Sequence, residues 1–245
     1  MSPGDDRFLE WLELRAEFVQ WQGWFDADHT AEEESDIYDD HAATQQMIQL
    51  MDQRIVCGVR WTRLKPAEVN PTSMLTLKMM SLSSLAEHET VQQVLRGETH
   101  HLGRWLAAAK QGRLLDLTRF VVRRVDSRLP GDKRRRMVRR QKAHYARLFH
   151  ALASEFAQNS AYRHGCTMVF ATSPKFVKLL TDLGVKVDVI AEDDTNVFGE
   201  VNSMDIRHSF RHHVSDQTGI GMMGNSEAIR AYGSCRKLRG VRQVR

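Results

Sequence analysis

The chain has 245 residues, 35 Lys and Arg against 31 Asp and Glu, 42% apolar and 27% charged residues, which excludes disordered and fibrous classes and fits one α/β domain with a well-buried core. Cys57, Cys166 and Cys235 are odd in number and form no C-x-x-C pair, so neither a disulfide framework nor a zinc knuckle is supported. No window has membrane length and the N-terminus lacks a secretory pattern, so a cytoplasmic protein without membrane insertion is expected.

The net charge of +4 hides two blocks. Asp26 to Asp40 holds eight acidic residues and no Lys or Arg, whereas Arg123 to Arg147 holds eleven basic residues against Asp126 and Asp132. Opposite blocks on one small domain are solvated faces or serve two oppositely charged ligands.

In chain order, Leu9, Leu12, Phe18 and Val19 fall near helical spacing around Arg15 and predict an opening amphipathic helix. The acidic loop follows. Met47–Met51 and Arg54–Trp61, separated by Asp52-Gln53, predict an antiparallel hairpin. A Pro-bearing loop runs from Lys65 to Ser73, and Leu82 to Gly97 reads as helical. Leu114–Val122 reads as a strand with Asp116 and Arg119 in its interior, and charges there need a reason. Met137, Tyr145, Leu148, Phe149, Leu152 and Phe156 then form one stripe of a long helix from about Lys133 to Gln158, started by Pro130-Gly131-Asp132. Thr167–Ala171 predicts a buried strand, Pro174 to Gly184 a short helix, and Val185–Ile190 and Asn196–Val201 closing strands. The order describes a mixed α/β sandwich over residues 1–214. Residues 215–245 read as a loose, basic, Gly-containing tail.

Several signals carry no function. Gly219-Ile220-Gly221-Met222-Met223-Gly224 matches G-x-G-x-x-G, but no clear strand precedes it and too little chain remains for a βαβ unit. Walker A and G-x-S-x-G runs are absent from the sequence. His100, His101, His208, His212 and His213 have no carboxylate or Cys at ligand spacing beside them and read as surface histidines, so no metal is expected. The basic block lacks interleaved aromatics for base stacking, which argues against nucleic acid.

The fragments Phe18-x5-Trp24, Glu34-Ser35-Asp36-Ile37-Tyr38-Asp39, Arg63-Leu64-Lys65-Pro66 with Ser73-Met74-Leu75, and Asp116-Leu117-Thr118-Arg119-Phe120-Val121-Val122 occur in this order. Together they resemble the acyl-homoserine-lactone synthases, the quorum-sensing autoinducer synthases of the acetyltransferase-like (GNAT) fold, from about Leu9 to Val201. Three features depart from the family pattern: Arg15 lies three rather than four residues before Phe18, Asp116 stands where the family carries Glu, and the chain is longer around Arg96 to Gly112 and in its tail.

The resemblance implies a single mixed-sheet GNAT-like α/β/α sandwich and an acyltransferase. The family joins an acyl group carried as a thioester to the amine of S-adenosylmethionine, a substrate rather than a cofactor. The methionine carboxylate then displaces methylthioadenosine and closes the lactone. A sulfonium and an ammonium call for carboxylates, here Glu34, Asp36 and Asp39, while the methionine carboxylate calls for a guanidinium, with Arg63 and Arg119 as candidates and Arg15 behind them. Trp24 joins this set only through the family pattern. Asp116 or Glu34, through water, is the candidate base, and backbone N–H groups at a bulge around Phe120 to Val122 are candidate oxyanion donors. Asp116 and Arg119 pairing as a buried salt bridge is the structural alternative.

Phe120, Phe170, Ser173 and Phe176 are the implied acyl-pocket residues, and phenyl rings at 170 and 176 imply a product without a 3-oxo group. Arg135, Arg136, Arg139 and Arg140 are read as the docking face for acidic acyl carrier protein. Acyl-CoA is less expected, because Arg123–Gly131 holds a single glycine and makes a poor phosphate nest. An N-acyl amino acid synthase and a non-catalytic basic interaction module are the alternatives. Oligomeric state is not legible.

Overall fold

The computed structural model describes residues 6–22, 28, 30–36, 38, 39, 41–124, 128, 130–162, 164–182, 184–206 and 241–244. Trp24, the 208, 212 and 213 histidines, the G-x-G-x-x-G run and the 214/215 boundary lie outside them. The chain packs as two units, one of residues Met1–Arg60, Arg119–Leu152 and Gly233–Arg245, the other of Trp61–Thr118 and Ala153–Tyr232.

The first unit opens with α1 (Asp6–Gln22). Its buried stripe is Phe8, Trp11, Leu12, Arg15, Phe18 and Val19, spaced as one helix face, while Leu9, expected inside, is 51% exposed. A guanidinium on the apolar stripe is the first sign that this face meets carboxylates. After the short α2 (Ala31–Glu34), capped by Thr30 and Glu33 in a reciprocal capping box, come β1 (Thr44–Met51) and β2 (Arg54–Arg63). Their two-residue connection has positive φ at both Asp52 (49°) and Gln53 (66°), the mirror-image turn whose twist matches paired strands. Gly58 on β2 is there for clearance: a Cβ would lie 2.5 Å from the Trp11 ring. The later part of β3 (Leu114–Val122) and the first turns of α6 (Gly131–Gln158) complete the unit. Although the tail reads as loose in sequence, β7 (Val241–Val244) adds an antiparallel strand to β1 with Gln46 opposite Val244. Four residues are too short for a legible alternation.

The second unit contains α3 (Leu75–Leu82), α4 (Glu89–Arg96), α5 (His100–Lys110), β4 (Thr167–Thr172), α7 (Pro174–Asp182), β5 (Asp188–Glu192) and β6 (Val197–Asn202). The stretch expected to be helical over Leu82–Gly97 is helical as α4 and begins with a turn over 83–88 that follows the end of α3. His88 caps α4 by accepting the Thr90 N–H, and Gly97 ends it at φ +77°. The core includes Trp61, Trp105, Leu114, Phe156, Met168 and Phe198, all nearly solvent-free. The Trp61 indole N–H donates to the Tyr162 hydroxyl at 3.1 Å, so the aromatic core keeps its polar handle satisfied.

The strands hydrogen-bond in the order β5-β6-β4-β3-β2-β1-β7. β3 and β4 run parallel, while β4–β6 and β5–β6 are antiparallel, which makes the sheet mixed. A parallel neighbour demands a long crossover, and α6 between β3 and β4 supplies it. Among the described residues no helix is long and apolar enough to cross a membrane.

Candidate active site

The first unit gathers six charged side chains. α1 supplies Arg15, the end of α2 supplies Glu34, the following turn supplies Asp36 and Asp39, β2 supplies Arg60 and β3 supplies Arg119. The turn is held by its own backbone: the Asp36 N–H donates to Asp39 Oδ2 and the Tyr38 N–H to Asp36 Oδ1, each at 2.9 Å. Both carboxylates are thereby aimed before any arginine arrives.

The pairing is reciprocal. Arg15 donates through Nε to Glu34 Oε1 at 3.2 Å and through Nη1 to Asp39 Oδ1 at 2.7 Å. Arg60 donates through Nη2 to Asp36 Oδ2 at 2.6 Å and through Nη1 to Asp39 Oδ1 at 2.8 Å. Arg119 pairs through Nε with Glu34 Oε1 and through Nη2 with Asp36 Oδ2, the latter at 3.5 Å. The guanidinium of Arg15 also lies 5.9 Å from the centre of Trp11, and that of Arg60 lies 5.6 Å from the centre of Tyr38, so aromatic faces share the desolvated charge. Tyr38, 1% exposed, thus acts as a floor beneath Arg60.

Three carboxylates face three guanidiniums, a balance that makes burial tolerable. Burial alone opposes ionisation of Asp36, but Arg60, by charge and hydrogen bond, followed by Arg119 and Arg15, outweighs it and holds the carboxyl below its ordinary value. Arg60 is pushed up, because Asp36 and Asp39 more than offset its burial. Arg119 is brought down to about 10, first by burial and then by Arg15 and Arg60, against the pull of Glu34 and Asp36. It stays a cation at neutral pH.

Access is uneven. The side chains of Arg15, Glu34 and Arg60 are fully enclosed and Asp39 nearly so, whereas Asp36 is 16% and Arg119 10% exposed. The two groups that reach solvent carry opposite charges and touch each other. Arg119 also has φ +59° inside a strand, and Arg119 and Phe120 are the two half-buried residues of the otherwise buried β3. A non-glycine residue in the left-handed region costs about 1–2 kcal/mol.

The remaining sequence candidates sit elsewhere. Asp116 is fully buried in the second unit, where it accepts the Thr76 hydroxyl and, at 3.3 Å, the Thr76 N–H in the first turn of α3. A carboxylate is well placed at a helix N-terminus, and the salt bridges of Arg119 run to Glu34 and Asp36. Arg63 lies with its guanidinium 5.2 Å from the centre of Tyr162. Phe170 is 1% exposed and faces Gly199 across β4–β6, where an added Cβ would lie 3.2 Å from its ring. The Ser173 carbonyl accepts the Phe176 N–H at 3.0 Å and so starts α7, while Phe176 itself is half-buried. Arg135, Arg136 and Arg139 are exposed on α6, which also carries Arg140.

Sequence reasoning missed Arg60. Its signal was present: a charge inside the apolar run Ile55–Trp61, the same anomaly that singled out Asp116 and Arg119. It also left His101 on the surface, whereas His101 is buried beside Asp188 and Glu200.

No protein-family profile matches the chain, and no curated protein matches it. Solved structures do. The chain is similar to BjaI, a CoA-dependent acyl-homoserine lactone synthase solved with MTA, at 15% identity over 89% of this chain and 85% of that chain, TM-score 0.47. It is similar to the AHL synthase LasI at 18% identity over 81% and 84% of the two chains, TM-score 0.45, and to MesI, another CoA-dependent acyl-homoserine lactone synthase, at 16% identity over 87% of each, TM-score 0.43.

Proposed function

We propose that the protein is an acyltransferase of the acyl-homoserine-lactone synthase type, acting on S-adenosylmethionine. One observation carries the reading: the E-x-D-x-Y-D run, Arg15 and the arginine of the D-x-T-R strand, read from sequence as substrate-site residues, converge on one neutral ionic network whose solvent-facing members are Asp36 and Arg119. A carboxylate and a guanidinium side by side suit a zwitterionic aminoacyl group. Asp36 takes the ammonium and the nearby sulfonium, and Arg119 grips the carboxylate that later attacks the carbon bearing sulfur.

Glu34, which accepts from Arg15 and pairs with Arg119, is the base that takes a proton from the ammonium through water. Loss of that proton frees the amine to attack the acyl thioester, and the expelled thiolate takes up a proton. Lactone closure then breaks the carbon–sulfur bond and releases methylthioadenosine. Carbonyl charge is met by backbone N–H groups of β3 around Phe120 to Val122. The acyl donor is acyl carrier protein, read from the exposed basic start of α6, and Phe170 and Phe176 disfavour a 3-oxo chain.

The test is stoichiometric. Purified protein with S-adenosylmethionine and either an acylated carrier protein or an acyl-CoA should release free thiol and methylthioadenosine one to one. Thiol without methylthioadenosine would mark an amino-acid acyltransferase. Absence of thiol with both donors would leave a non-catalytic module.

A further inference from the structure

The second unit holds an ionic group that the proposed reaction does not use. His101 and Arg104 on α5, Asp188 on β5 and Glu200 on β6 converge on one point. The ligating atoms of His101, Asp188 and Glu200 all lie within 4.8 Å of one another. A single atom, Arg104 Nη2, sits among them, 2.9 Å from His101 Nδ1, 3.1 Å from Asp188 Oδ2 and 2.6 Å from Glu200 Oε1. The three groups therefore already act as a tripod for a cation, and the cation is supplied by the chain.

Three features distinguish this tripod from a surface salt bridge. Glu200 is 91% buried as a side chain and its second oxygen accepts the Trp105 indole N–H, the outer hydrogen bond that fixes a ligating carboxylate in place. His101 Nδ1 lies 2.9 Å from Arg104 Nη2. With Nδ1 accepting from Arg104, its lone pair faces the centre, as a metal-ligating imidazole requires. Arg104 and Asp188 are 48% and 53% exposed, so the guanidinium has a free path outward and Asp188 has room to close in. Two carboxylates against one guanidinium leave the group one negative charge in excess, and a divalent ion in place of the guanidinium removes it.

We propose that His101, Asp188 and Glu200 form a site for a divalent transition metal, plugged by Arg104, with one imidazole nitrogen and two carboxylate oxygens as ligands and water completing the shell. Such a mixed nitrogen and oxygen set suits zinc or manganese better than calcium or magnesium. Bond lengths of about 2.0–2.2 Å ask the three groups to draw inward from their present distances to Arg104, a movement that exposed Asp188 permits.

The test is a zinc titration of the full-length protein by calorimetry, with circular dichroism confirming the fold of each variant. Arg104→Ala should bind one zinc at least ten-fold more tightly than wild type, because it removes the competitor and leaves the ligands. Arg104→Ala/Asp188→Asn should lose that gain, and since Asp188 is exposed the second change spares the core. Equal affinity of Arg104→Ala and wild type, or a gain that survives Asp188→Asn, overturns the proposal. The latter result would assign the metal to other histidines.

Discussion

Arginine does opposite work in two parts of the first unit. In the ionic network, Arg15, Arg60 and Arg119 are enclosed and each is met by at least two carboxylates. At the start of α6, Arg134, Arg135 and Arg136 stand exposed, and the Arg135–Asp132 pair is 74% and 82% exposed. Removing one member of the network strands a partner where water cannot reach it. Exposed pairs of the α6 kind contribute about 0–1 kcal/mol. Residue type alone says little about a charge's role; enclosure and partner count decide it.

The sharpest way to break this contrast is Asp39→Asn. It removes the charge that Arg15 and Arg60 share, and loss of one partner in a buried pair costs about 3–5 kcal/mol. Thermal and denaturant unfolding should show a loss of that size, together with abolished methylthioadenosine release. Turnover and stability equal to wild type would reduce the network to an ordinary surface.

Arg119→Lys comes next. It keeps a cation but loses the planar fork that pairs with Glu34 and Asp36. KM for S-adenosylmethionine should rise about ten-fold, corresponding to about 1.4 kcal/mol of binding. An unchanged KM would remove Arg119 from the substrate-binding set.

Asp36 gives a smaller, pH-dependent effect. Its folded value lies below the ordinary 3.8, so its stabilisation is fully present above the unfolded value and is lost as pH falls through the folded one. Wild type should lose stability more steeply than Asp36→Asn as pH falls below about 4. Parallel acid-unfolding curves would show that the arginines do not hold this carboxylate.

Least affected in stability should be the triple reversal of Arg135, Arg136 and Arg139 to Glu, within about 0.5 kcal/mol of wild type. Its effect belongs to association: KM for acylated carrier protein should rise several-fold with a flatter salt dependence, and KM for S-adenosylmethionine should stay nearly constant. Unchanged kinetics, or preference for acyl-CoA, would remove carrier docking from this face.

Periodicity made β1, β2, β3, α6 and β4 legible because each is long or strongly patterned. Leu82–Gly97 was legible as helical only over α4, whose start depends on a histidine cap and whose end on a left-handed glycine; the turn over 83–88 before it carries no glycine or proline to mark it. α5, His100–Lys110, lay in a stretch that reads only as extra length beside the family pattern. The acidic run and Arg119 were legible as an anomaly of charge and as a resemblance. Arg60 was passed over for Arg63 because the resemblance lay on the latter, although an arginine within an apolar strand carried the stronger physical signal. The trio of His101, Asp188 and Glu200 could not be read at all, since β5 and β6 bring together residues far apart in sequence.

The hairpin turn offers a reserve that the protein has not spent. Asp52 and Gln53 both hold positive φ, a conformation for which glycine is the natural second residue. Gln53→Gly should therefore add about 1 kcal/mol, less the exposed hydrogen bond that Gln53 accepts from Arg7. A chain strengthened there becomes a carrier for damage elsewhere, letting variants of the ionic network remain folded while their chemistry is measured.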